Sequence, residues 1–145
     1  MSFPEIRTLV PHSGHMVLLD RVITADTESL SAEVNIRSDS MFYEGEGVGA
    51  WVGIEYMAQA IAAYAGYVAQ MNGDSVKVGF LLGTRRYECM RPYFSLGDQL
   101  RIEVKHLFQA ENGLGSFECT IHRENELLAS ATLTVFQPEN IQEFL

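Results

Sequence analysis

Residues 51–71, WVGIEYMAQAIAAYAGYVAQM, hold one charged side chain, Glu55, and no proline. A run of this length and character predicts a helix that is apolar all round, and such a helix is enclosed either by protein or by lipid. Lipid fits poorly. Glu55, Gln59, Gln70 and three tyrosines are costly in hydrocarbon, and neither flank carries a basic cluster. Ala58, Ala60, Ala62, Ala63, Ala65 and Gly66 make the helix slim, so that a curved sheet can wrap it closely. No membrane span is expected.

A lone carboxylate on such a helix needs a reason. An ionised group without a partner in apolar surroundings costs several kcal/mol or moves toward its neutral form, so Glu55 is a functional-site candidate. An acid in the first turn that merely complements the helix dipole accounts for it equally well. The helix alone leaves both readings open.

The 145-residue length is that of one domain, 1–145, able to bury about two-thirds of its unfolded surface. Hydrophobic content of 47% with 20% charged residues is that of a globular chain. The opening MSFPEIRTLV lacks the basic and apolar regions of a signal peptide, which predicts a cytoplasmic protein. Cys89 and Cys119 stand apart without metal-ligand spacing, so reduced structural thiols are expected, with no metal and no cofactor. Ten Lys and Arg against nineteen Asp and Glu give a net charge of −9, which excludes nucleic acid as an expected partner. Arg85, Arg86 and Arg91 nevertheless lie within seven residues. Such a patch can dock an acidic partner, or it is an ordinary solvated strand face.

Along the chain, residues 3–15 read as irregular or briefly helical, with Pro4 and Pro11 as breakers and with His12 and His15 in the same stretch. Strands are expected over 16–26 and 29–39. The glycines of MFYEGEGVGA, 41–50, are expected to break any regular element and to lead into the helix. Asn72-Gly73-Asp74 ends it, and strands follow over 76–90, 99–110, 113–125 and 126–137, separated by turn signals at 94–99, 111–113 and 124–126. The pattern describes an α+β domain, one antiparallel sheet of five to six strands around a single helix.

Three segments in this order resemble the hotdog-fold 3-hydroxyacyl-[acyl-carrier-protein] dehydratases of fatty acid synthesis. They are PHSGHMVLLDRV (11–22), GIEYMAQAIAAYAG (53–66) and FSLGDQLRIEV (94–104). The wording of PHSGHMVLLD and AWVGIEYMAQAIAAYAG is most similar to the dehydratases encoded with aryl-polyene pigment pathways. The resemblance implies a hotdog fold and a two-residue mechanism. A His abstracts the proton beside the thioester carbonyl, and the helix Glu, here Glu55, protonates the departing 3-hydroxyl. It also implies that backbone amides around Gly49 and Ala50 polarise the thioester oxygen. Gln59 and His15 fall on the substrate-binding side of the same arrangement. The implied partners are an acyl carrier protein, docked by Arg85, Arg86 and Arg91, or an acyl-coenzyme A thioester. The implied assembly is a homodimer or higher oligomer, or a pairing with another hotdog subunit.

One position departs from the family. Its catalytic His stands fourteen residues before the Glu, where this chain has Met41. His106 and His122 fall in alternating strands and read as structural or solvent-facing. His12 and His15, in a loop before the first strand, are the candidates to replace the base, His12 first. Tyr43 and Glu44 in the substituted loop are weaker, because Tyr is a poor base at neutral pH. Three functions stay open: a dehydratase, an acyl thioester hydrolase in which Glu55 activates water, and a non-catalytic acyl-binding or scaffold subunit that pairs with an active hotdog dehydratase.

Overall fold

The computed structural model describes residues 5–6, 17–73, 80–110 and 112–136. Among these described residues, nine strands and one long helix follow in the order β1 (Arg21–Ala25), β2 (Ser29–Asn35), β3 (Tyr43–Glu44), β4 (Gly47–Gly49), α1 (Gly53–Met71), β5 (Phe80–Cys89), β6 (Tyr93–Ser95), β7 (Gln99–Gln109), β8 (Leu114–Arg123) and β9 (Glu126–Phe136). A single 3-10 turn, Ala50–Val52, joins β4 to α1.

Six strands form one antiparallel sheet in the order β1-β2-β7-β8-β9-β5, and α1 packs against β2, β5, β7, β8 and β9. This is the hotdog arrangement of an antiparallel sheet curled around one helix. Strand periodicity explains why the sheet closes on α1. Leu100, Ile102 and Val104 of β7, Phe117, Cys119 and Ile121 of β8, and Ala129, Ala131 and Leu133 of β9 are buried at every second residue. Helix residues Met57, Ala60 and Ala63 are fully buried against this surface. The two alanines explain how the sheet comes so close.

β2 is buried on both faces, and its outward Glu33 is sealed by polar partners instead of apolar ones. Arg21 Nε and Nη2 donate to Glu33 Oε2 and Oε1, each at 3.0 Å, and Gln99 Nε2 donates to Oε1 at 2.8 Å. A buried carboxylate is tolerated when its lone pairs are satisfied in this way.

Two expectations need correction. The segment 41–50 is not free of regular structure: β3 and β4 lie within it and join β6 in a separate three-stranded sheet, β3-β4-β6. Gly47 permits this, because a Cβ there would collide with the carbonyl of Phe94 on β6. The first strand starts at Arg21 rather than at residue 16, and the second ends at Asn35 rather than at 39. The helix itself spans 53–71, with the 3-10 turn ahead of it accounting for 51–52.

Candidate active site

Glu55 stands in the first turn of α1 and is half-buried. One turn further on, Gln59 is completely buried and bridges two elements. Its Oε1 accepts the Leu18 amide at 2.8 Å, and its Nε2 donates to Glu55 Oε1 at 3.3 Å. The Leu18 N–H can only donate, so it fixes which end of the Gln59 amide is oxygen and turns the NH2 group toward Glu55. The two residues whose i,i+4 spacing could be read from the sequence are thus joined, and a third element, the segment before β1, holds them.

The turn that delivers Glu55 is held by the β5–β6 corner. The Ala50 amide donates to the Pro92 carbonyl at 2.9 Å. The Ala50 carbonyl accepts the Gly53 amide, the Tyr87 hydroxyl and, at 3.8 Å, the Cys89 thiol. Of the backbone around Gly49 and Ala50, the Ala50 N–H is thus already bonded to Pro92. The next amide of the turn belongs to Trp51, a residue 66% exposed. Its side chain folds back over Gly49, with Nε1 2.5 Å from where a Cβ would sit, and packs edge-on against Phe42 with ring centroids 5.3 Å apart. A side chain at Gly49 would therefore have to displace the exposed Trp51 ring.

Met41 lines a cleft of about 600 Å³ together with Leu18, Val34, Ser40, Phe42 and Tyr56. Among the described residues Glu55 is not part of that lining, and the link between the two runs through Leu18 and Gln59. Met41 thus shares its cleft with Tyr56, the residue that follows Glu55 on α1. His12 and His15 lie outside the described residues. His106 sits in β7 with its ring 4.9 Å from Phe117 and 5.7 Å from Tyr64. His122 sits in β8 with Nδ1 3.5 Å from Glu103 Oε2. Tyr43 donates its hydroxyl to the Gly45 carbonyl at 3.1 Å, within its own hairpin.

The three arginines divide. Arg85 and Arg86 are exposed on β5 and enter no ion pair among the described residues. Arg91 instead makes a forked pair with Glu126 at 2.8 and 2.9 Å, a carboxylate that Arg123 Nη2 also reaches at 2.7 Å. Cys89 and Cys119 are both free thiols, and burial pushes Cys119 up to about 12. Among the described residues, no cluster of His, Cys, Asp and Glu could hold a metal ion, and no helix is long and apolar enough to cross a membrane.

Comparison with known proteins places this chain among dehydratases. The family model described as ApeP dehydratase matches residues 4–145. The 3-hydroxyacyl-[acyl-carrier-protein] dehydratase FabZ of Thermus thermophilus is 32% identical over 139 residues, covering 92% of this chain and 95% of the relative. The dehydratase heterocomplex ApeI:P from Xenorhabdus doucetiae contains a chain that is similar with a TM-score of 0.89 at 28% identity, covering 98% of this chain and 96% of that one. A hypothetical thioesterase with coenzyme A from Streptococcus pneumoniae is similar with a TM-score of 0.63 over 81% of this chain and 84% of the other, and at 15% identity it shares the fold alone.

Proposed function

We propose, from the premise that this chain belongs to the ApeP-like dehydratase family, that it takes part in the dehydration of 3-hydroxyacyl thioesters on acyl carrier protein, in fatty acid or aryl-polyene synthesis. The observation that carries this reading is Glu55 itself, set in the first turn of a buried helix and oriented by Gln59. In the reaction a base takes the proton from C2, the electron pair forms the C2–C3 double bond, and the C3–O bond breaks. Glu55 gives its proton to the leaving hydroxyl, so that water departs and a trans-2-enoyl thioester remains. The Trp51 amide, next to the occupied Ala50 amide, is the donor assigned to the thioester oxygen.

Met41 has no proton-accepting group, so the base comes from elsewhere. His12 of the same chain is the first candidate, with His15 on the substrate side. A histidine of a second hotdog subunit is the other. Among the described residues, β5 is an edge strand of the six-stranded sheet. Its outer edge offers backbone groups that a neighbouring subunit can pair with, which favours an assembly of two hotdog chains. The similar ApeI:P structure is a heterocomplex, and together with Met41 this supports a second reading in which the chain completes or scaffolds a partner's site.

Mass spectrometry of a 3-hydroxyacyl carrier protein incubated with the chain, alone and with a hotdog partner, tests the proposal. Loss of one water from the acyl group supports dehydration. Release of the free acid shows hydrolysis, and an unchanged substrate in the first sample with dehydration in the second identifies a subunit that needs its partner.

A further inference from the structure

The Ala50 carbonyl and the Trp51 N–H belong to one planar trans peptide unit, so whatever fixes the direction of the carbonyl fixes the direction of the amide. Three donors converge on that carbonyl: the Gly53 amide, the Cys89 thiol and the Tyr87 hydroxyl. The Gly53 amide is part of the turn itself. The other two come from β5, a different element, and hold the turn against the sheet.

β5 is irregular where it supplies them. Its pairing with β9 shifts register between Arg85 and Glu88, and Arg86 between them takes the left-handed backbone, φ 52°. A bulge of this kind re-aims the side chains beyond it. Tyr87 and Cys89, two residues apart and on one face, both reach Ala50 as a result. The space around the hydroxyl is also specific. A Cβ on Gly53 would collide with it, and would lie 3.0 Å from Ile121 Cδ1 and 3.2 Å from Phe94 Cζ. Glycine two residues before Glu55 is thus what lets the hydroxyl in. Burial, and then the neighbouring Cys89, hold the Tyr87 hydroxyl well above its ordinary range, so it remains a donor throughout the working pH range.

We propose that Tyr87 is a positioning residue for the reaction: by anchoring the Ala50 carbonyl it aims the Trp51 amide at the thioester oxygen and fixes the turn from which Glu55 emerges. This rests on the dehydratase reading, in which that amide meets the developing oxyanion.

Tyr87→Phe, which keeps the ring and its packing, is the test, with turnover measured in whichever assembly the wild-type chain is active. Loss of one ordinary hydrogen bond predicts a fall in kcat of about fivefold. KM should stay within about twofold, because the interaction develops in the transition state. The Trp51 amide resonance of the variant, read by NMR, should shift, and hydrogen exchange across 50–55 should accelerate. An unmoved Trp51 resonance, or an unchanged kcat, overturns the proposal. So does a kcat loss that vanishes once the rate is divided by the folded fraction, measured by chemical denaturation, which would mark Tyr87 as a plain staple of the fold. If the wild-type chain dehydrates nothing in any assembly, the functional reading fails, whereas the Trp51 resonance still reports separately on the anchoring.

Discussion

Gln59 Nε2 donates to Glu55 Oε1 across 3.3 Å, and the same Gln59 side chain accepts the Leu18 amide at 2.8 Å. A completely buried amide therefore ties the acid of the helix to the segment that precedes β1.

Replacing Gln59 by Leu removes both bonds and leaves the Leu18 N–H without an acceptor. The expected destabilisation is about 1–3 kcal/mol, the cost of a buried unsatisfied donor. Chemical denaturation measures it, and turnover per folded molecule should fall as Glu55 loses its orientation. Wild-type stability in Gln59→Leu would show that the Leu18 bond contributes nothing.

The sheet predicts a pH dependence of its own. The Arg21 guanidinium, aided by Asn35 and opposed by burial, holds the Glu33 carboxyl below its ordinary value of 4.5. A carboxyl depressed in the folded state binds protons more weakly there than in the unfolded chain. Its stabilisation is present above the ordinary value and is lost as pH falls below it. Thermal midpoints taken between pH 7 and about pH 3 should drop more steeply for the wild type than for Glu33→Gln. Parallel curves for the two proteins would show that the Arg21–Glu33 pair makes no net contribution.

How much of this was legible in the sequence depended on whether a local pattern carried it. The wrapped helix followed from one charge in the run 51–71, and the strands of 99–137 followed from their alternation. The three-stranded sheet β3-β4-β6 did not, because its strands are two or three residues long and too short for any period. Arg91 read as part of a basic patch because its partner, Glu126, lies thirty-five residues away. Tyr87 gave no signal at all. Its role arises from a bulge and from a carbonyl on another element, and neither leaves a spacing in the sequence. Gln59 did leave one, an amide four residues after the only carboxylate of an apolar helix.

Arg85 and Arg86, exposed and without ion pairs among the described residues, are the part of the patch proposed to dock an acidic carrier protein. Charge reversal at both should weaken carrier affinity and flatten its dependence on salt, measured by titration at low and high ionic strength. The Arg91→Ala variant should affect affinity less, since Arg91 already pairs with Glu126. Unchanged affinity in the double reversal would reduce the patch to a solvated strand face.

His12 is the base proposed to replace the one absent at Met41. His12→Ala should abolish turnover while circular dichroism and thermal midpoint stay near wild type, and the wild-type rate should follow a bell-shaped pH profile set by the His–Glu pair. A wild-type rate in His12→Ala moves the base to His15 or to a partner subunit.

The role of Glu55 is tested most directly by the single-turnover rate of 3-hydroxyacyl carrier protein dehydration in Glu55→Gln. The substitution preserves shape at a half-buried position and should leave stability within about 1 kcal/mol of wild type. The account predicts a rate at least about 100-fold lower, the contribution of a positioned general acid. Dehydration by Glu55→Gln at near the wild-type rate would contradict it.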